Sequence, residues 1–168
     1  IVKGLNLGFL ALFSCPKPTV CAVSGAAIAG GLFYVLAADF RIAHPGAKLG
    51  LAEVRVGADF PVGPMEIARA TLDPNTLRRL MLTGQPMSAE EAHRDAVVDV
   101  IDEDPRARAL SEAARLAQNP PKTYGSIKRQ IRGHVIREIE QAMLNGANAP
   151  RDGWFNDETR DAMARMIG

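Results

Sequence analysis

The apolar positions change rhythm several times along the chain, and each change marks an element. Leu5, Leu7, Phe9, Leu10 and Phe13 recur at helical spacing and predict a first helix. It must stop before Pro16 and Pro18, because a proline pushes the residue ahead of it out of helical backbone. Residues 19–23 are rich in β-branched side chains and close on Ser24-Gly25, which predicts a short buried strand. The run from Gly25 through Val35 to Ala38 carries no charge. It is shorter than the about 20 residues of a membrane span. It lies too far into the chain for a signal peptide, with no basic stretch ahead of it, so it reads as a buried helix starting near Gly30. Ala26, Ala27, Ile28, Ala29, Gly30 and Gly31 are small enough, as a group, to let backbone approach a ligand closely before that helix begins.

Residues 40–43 read as a second strand and 48–51 as a brief third, and residues 57–64 form a loop by composition. A helix is expected over 65–70 and another over 74–82, the latter with Asp73 as N-cap and Pro74 at its first position. Ser88-Ala89-Glu90-Glu91 has the form of a capping box opening a further helix. Residues 97–101 read as a strand. Residues 105–118 and 123–144 read as amphipathic helices, and 156–167 as a terminal one. Strands and helices mix in the first half and helices fill the second, the pattern of an α/β chain with a helical C-terminal part.

Composition narrows this little further. The 168 residues have room for one domain, with 47% hydrophobic and 23% charged residues, both ordinary for a globular chain. Twenty basic against 19 acidic side chains leave a net charge of +1, which carries no broad footprint for nucleic acid or an anionic membrane. Cys15 and Cys21 have neither zinc-site spacing nor the number for a disulfide framework; they read as small buried residues of a cytoplasmic protein. His44, His93 and His134 are scattered, and no metal site is expected. The chain opens at Ile1 inside an apolar helical pattern, as if further sequence belonged upstream.

Several blocks together carry a family resemblance. They are Pro16-Lys17-Pro18-Thr19-Val20-Cys21-Ala22-Val23-Ser24-Gly25, then Ala29-Gly30-Gly31, then Ala38-Asp39-Phe40-Arg41-Ile42-Ala43, then residues 48–57. Leu82-Thr83-Gly84, Ser88-Ala89-Glu90-Glu91-Ala92 and Val97-Val98-Asp99-Val100-Ile101 follow in order. In this order the blocks resemble the crotonase superfamily, the enoyl-CoA hydratases and isomerases. The resemblance implies a crotonase-like spiral of ββα units over residues 1–104 and a helical trimerisation region over 105–168. It implies a homotrimer or hexamer and an acyl-CoA substrate, with coenzyme A entering as part of the thioester and no separate cofactor. It also implies that much of the CoA-binding surface and one oxyanion-hole amide belong to the family's N-terminal part, which these residues do not include.

The same resemblance suggests residue roles. Gly30 stands where the family places its second oxyanion amide, and Glu53 where it places an acid–base glutamate. The other family glutamate aligns with Phe33, six residues before Asp39, and phenylalanine cannot move a proton. Glu53 and Pro61 are eight residues apart, a spacing closer to the isomerases than to the hydratases. The implied activity is therefore a double-bond shift in an enoyl-CoA with Glu53 as base. A hydratase, a related thioester or diketone hydrolase, and a non-catalytic acyl-CoA-binding homologue are the alternatives. Ala26, Ile28, Phe33, Phe60 and Pro61 are expected at the substrate. Lys128, in a basic cluster with Lys122, Arg129 and Arg132, is expected at the CoA phosphates, although a solvated helix face is the simpler reading of the cluster. Asp59 and Glu66 are further acids near Glu53 in sequence, read more simply as a turn cap and a helix-surface charge.

Overall fold

The computed structural model describes residues 2–146 and 157–167. Helix α1 (Val2–Phe13) buries Phe9, Leu10 and Phe13. Strand β1 (Val20–Val23) follows the prolines, and β2 (Ala26–Ile28) leads into helix α2 (Gly30–Ala37). The uncharged run is thus not one helix, because three of its residues are drawn into a strand by pairing with β4 (Lys48–Gly50). Strand β3 (Phe40–Ala43) pairs in parallel with β1, and β6 (Val100–Ile101) pairs in parallel with β3. Strand β5 (Met87–Ser88) runs antiparallel to β4. Two three-stranded sheets result, in the orders β1-β3-β6 and β2-β4-β5. The pairs β1/β2 and β3/β4 each place one strand in each sheet before the chain turns into a helix, the ββα repeat expected of the spiral, whereas α5 separates β5 from β6.

A 3-10 turn (Glu53–Val56) follows β4, and then come helices α3 (Val62–Thr71) and α4 (Pro74–Thr83). Helix α3 starts earlier than the loop-like composition suggested, taking in Val62 to Pro64, with its Gly63 amide donating to Asn6 Oδ1 at 2.9 Å. Helix α4 has the Asp73 cap, accepting from the Asn75 amide, and α5 (Ala89–Arg94) has both halves of the capping box. The strand expected over 97–101 shrinks to β6. Val97 and Val98 are buried, but their amides donate to Ala92 O and close α5 instead of joining the sheet. Helices α6 (Pro105–Leu116), α7 (Pro121–Leu144) and α8 (Asp157–Ile167) complete the chain. Cys15 and Cys21 are free and only partly buried, where full burial was expected. No described helix is long and apolar enough to cross a membrane.

The core is a single cluster of apolar side chains in which α2 is central, with Leu32, Leu36 and Ala37 fully buried and Phe33 and Val35 nearly so. Helix α7 is tied to this core by charge. Asp39, at the end of α2, accepts from Lys128 Nζ at 2.7 Å, Arg132 Nη2 at 2.8 Å, the Tyr124 hydroxyl at 2.9 Å and the Thr19 amide at 2.9 Å. Arg132 also donates to the carbonyls of Phe13 and Ala37, and its guanidinium lies over the Phe13 ring. Burial works to raise the Asp39 pKa. The Lys128 and Thr19 hydrogen bonds and the nearby Arg132 charge outweigh it and hold the carboxyl below its ordinary value. Burial and the hydrogen bond to Asp39 push the Tyr124 hydroxyl up to about 12.

Candidate active site

Two backbone corners create the site. The first is Ala29, at φ 53° and ψ −125°, a conformation an alanine adopts only under constraint. The Ala29 amide donates to Gly50 O at 2.9 Å, which fixes the corner against β4. Helix α2 therefore starts abruptly at Gly30, and no side chain caps it. The first amides of a helix have no intrahelical carbonyl to bind and carry the positive end of its dipole. Ala29 and Gly30 line a cavity, so these amides lie at its wall.

The second corner is the 3-10 turn. The Glu53 carbonyl accepts from the amides of both Gly57 and Ala58, and Gly57 takes a left-handed φ of 64°. These bonds close the turn and direct Glu53 inward, where the residue is only 6% exposed. Its Oε2 is buried without a hydrogen-bond partner. Desolvation raises the Glu53 pKa, opposed only by the residue's own amide. An unpartnered, desolvated carboxylate is a stronger base than one in water, and its position in a cleft is the usual mark of a functional group.

Glu53 and Gly30 line one cavity of about 310 Å³ together with Phe9, Phe33, Phe60, Pro61 and Met163. Among its described lining residues Glu53 is the sole titratable side chain. The aromatic rings brace one another, Phe9 to Phe33 at 5.6 Å and Phe33 to Phe60 at 6.0 Å between centroids. The position expected to lack a second acid thus holds a ring locked in the cavity wall.

The structure brings Glu53, Gly30, Phe33, Phe60 and Pro61 together. Ala26 and Ile28 are not on the wall; they lie on β2, leading into the Ala29 corner. Lys128 lies in the charged cluster under α7. It is 7% exposed, its ammonium turned inward to Asp39 and Lys17 O, and it does not line the Glu53 cavity. Asp59 is exposed and off the cavity, and Glu66 pairs with Arg69 on the surface of α3. Phe9 and Met163 are among the wall residues that went unanticipated. Phe9 had only a helical apolar period to mark it, and Met163 comes from the far end of the chain with no local signal.

A family model described as enoyl-CoA hydratase/isomerase matches residues 3–158. The chain belongs to the enoyl-CoA hydratase/isomerase family. A probable enoyl-CoA hydratase of Mycobacterium tuberculosis strain H37Rv is 34% identical over 125 residues, covering 74% of this chain and 49% of that protein. The (E)-benzylidenesuccinyl-CoA hydratase of Thauera aromatica is 30% identical over 143 residues, covering 74% and 56%. The chain therefore spans about half the length of these curated relatives. Among solved structures, an apo enoyl-CoA isomerase of Mycobacterium tuberculosis superposes with a TM-score of 0.80 at 26% identity, over 87% of this chain and 67% of that one. An enoyl-CoA hydratase from Mycobacterium avium superposes at 0.85 over 99% of this chain and 66% of that one. At 21% identity it shows the shared fold alone.

Proposed function

We propose that the protein shifts the double bond of an enoyl-CoA, with Glu53 as its single acid–base group. The observation that carries this reading is the pairing of a buried carboxylate oxygen without a partner and a phenylalanine where a second carboxylate would stand. In a 3-enoyl thioester, Glu53 takes a proton from C2. The electron pair moves into the thioester, and negative charge builds on its oxygen. The Gly30 amide at the N-terminus of α2 donates to that oxygen, an effect worth a few kcal/mol per donor in a dry site. The family resemblance places a second donor in the family's N-terminal part. Glu53, now protonated, returns the proton at C4, and the product is the conjugated 2-enoyl thioester. One carboxylate suffices because the proton leaves and arrives on the same group, and no water is consumed.

Hydration requires a water held and activated on one side while a proton is handled on the other. The described lining of this cavity offers one titratable group and a wall of rings. The names of most relatives favour the hydratase reading. The two are separated by comparing isomerisation of a 3-enoyl-CoA with loss of the conjugated chromophore of a 2-enoyl-CoA in water. Isomerisation faster than hydration is the expected outcome. Hydration as the dominant reaction would replace this reading by the hydratase one.

A further inference from the structure

We propose that Met163, on helix α8, sets how long an acyl chain the cavity admits. The inference rests on the acyl-CoA reading above. Phe9 and Phe33 are buried rings in contact, Phe60 packs half-buried against Phe33, and Pro61 caps α3. Met163 is different in kind. It is unbranched and flexible, and methionine fills irregular gaps that stiffer side chains cannot follow. Among the described residues it is the one that α8 supplies to the lining.

The way α8 is seated supports the assignment. Thr159 is fully buried, and its hydroxyl donates to the Gly57 carbonyl at 2.6 Å. A Cβ on Gly57 would stand 3.0 Å from the Thr159 amide nitrogen and 3.1 Å from the Glu158 carbonyl carbon, so α8 lies backbone to backbone on the turn that carries Glu53. Ala162 is buried beside it at 9% exposure. Thr159 thus acts as a positioning residue: it holds α8 at one height above the turn and thereby places Met163. The cavity measures about 310 Å³, at the small end for an organic ligand.

The test is calorimetric binding of two saturated, unreactive thioesters, butanoyl-CoA and decanoyl-CoA, to the complete protein. The variants are Met163→Ala, Thr159→Val and Thr159→Ser, with circular dichroism confirming their folds. Wild type is expected to favour the short chain. Met163→Ala should raise decanoyl-CoA affinity relative to butanoyl-CoA at least tenfold, since each methylene newly accommodated is worth about fourfold. Thr159→Val should move the ratio the same way, and Thr159→Ser, which keeps the hydroxyl, should restore it. An unchanged ratio in Met163→Ala, with both thioesters still bound, overturns the inference and leaves the acyl-CoA reading standing. Equal behaviour of Thr159→Val and Thr159→Ser overturns the positioning role. Failure of wild type to bind either thioester removes the acyl-CoA reading and this inference with it.

Discussion

Removing the negative partner of the charged cluster under α7 should cost more than removing either positive one. Asp39 sits between Lys128 and Arg132, whose side chains are 8% and 11% exposed. Asp39→Asn strands two buried cations without an anion. Breaking a buried pair from one side costs about 3–5 kcal/mol. Lys128→Met leaves Asp39 with Arg132 at 2.8 Å, Tyr124 at 2.9 Å and the Thr19 amide at 2.9 Å. Its cost should be smaller, about 2–3 kcal/mol, because the carboxylate stays paired and hydrogen-bonded. With a urea slope of about 2 kcal/mol/M, Asp39→Asn should lower the midpoint by about 1.5–2.5 M and Lys128→Met by about 1–1.5 M. Urea titration followed by far-UV circular dichroism at neutral pH measures both. The pH dependence has a definite sign. The Asp39 pKa is lower folded than unfolded, so its contribution is present above the unfolded value of about 3.9. It is lost as the pH falls through the folded value, and the gap between wild type and Asp39→Asn should narrow in strong acid. Midpoints of both variants within about 0.25 M of wild type, about 0.5 kcal/mol, would show that the cluster does not anchor α7. A larger loss in Lys128→Met than in Asp39→Asn would show that the surviving partners of Asp39 do not compensate.

Two further outcomes follow from backbone and burial. Ala96 adopts φ 55° just beyond α5, where glycine would relieve about 1–2 kcal/mol of strain and lose about 0.5–1 kcal/mol to chain entropy. Ala96→Gly should therefore raise stability by about 0.5–1 kcal/mol, read as a higher midpoint in thermal unfolding; a lower one would contradict the strain. Burial raises the Glu53 pKa, so the acidic limb of the kcat/KM profile should fall above the ordinary glutamate value of about 4.3. Because its folded pKa is the higher one, Glu53 contributes stability that is present below the unfolded value and lost as pH rises through the folded value. Glu53→Gln should accordingly be at least as stable as wild type at neutral pH, and a marked loss of stability there would contradict a strained, desolvated carboxylate.

Elements set by local chemistry were legible in the sequence. The Asp73 cap, the Ser88–Glu91 box and the stop of α1 before the prolines each depend on neighbours a few residues away. Strand β2 was not legible, because Ala26-Ala27-Ile28 has no alternation and becomes a strand only by pairing with β4. Strand β6 was overextended for the converse reason. Valines 97 and 98 have the right propensity, but the ladder offers partners only at Ile42 and Ala43. At the site, the family resemblance singled out Glu53, Gly30 and Phe33, and the fold gathers them. The burial of Lys128 against Asp39 was not legible, because a basic helix face looks alike whether its charges meet water or a buried aspartate. Met163 and the Ala29 corner were invisible, one arising from long-range packing and the other from a conformation alanine rarely takes.

The central claim is that Glu53 alone moves the proton. Its most direct test is the rate of 3-enoyl-CoA isomerisation by the complete protein, wild type beside Glu53→Gln, with circular dichroism confirming that both are folded. Glutamine keeps the shape of the buried side chain and cannot accept the proton, so turnover should fall by about 100- to 10,000-fold. Turnover in Glu53→Gln within about threefold of wild type would contradict the account and require another base.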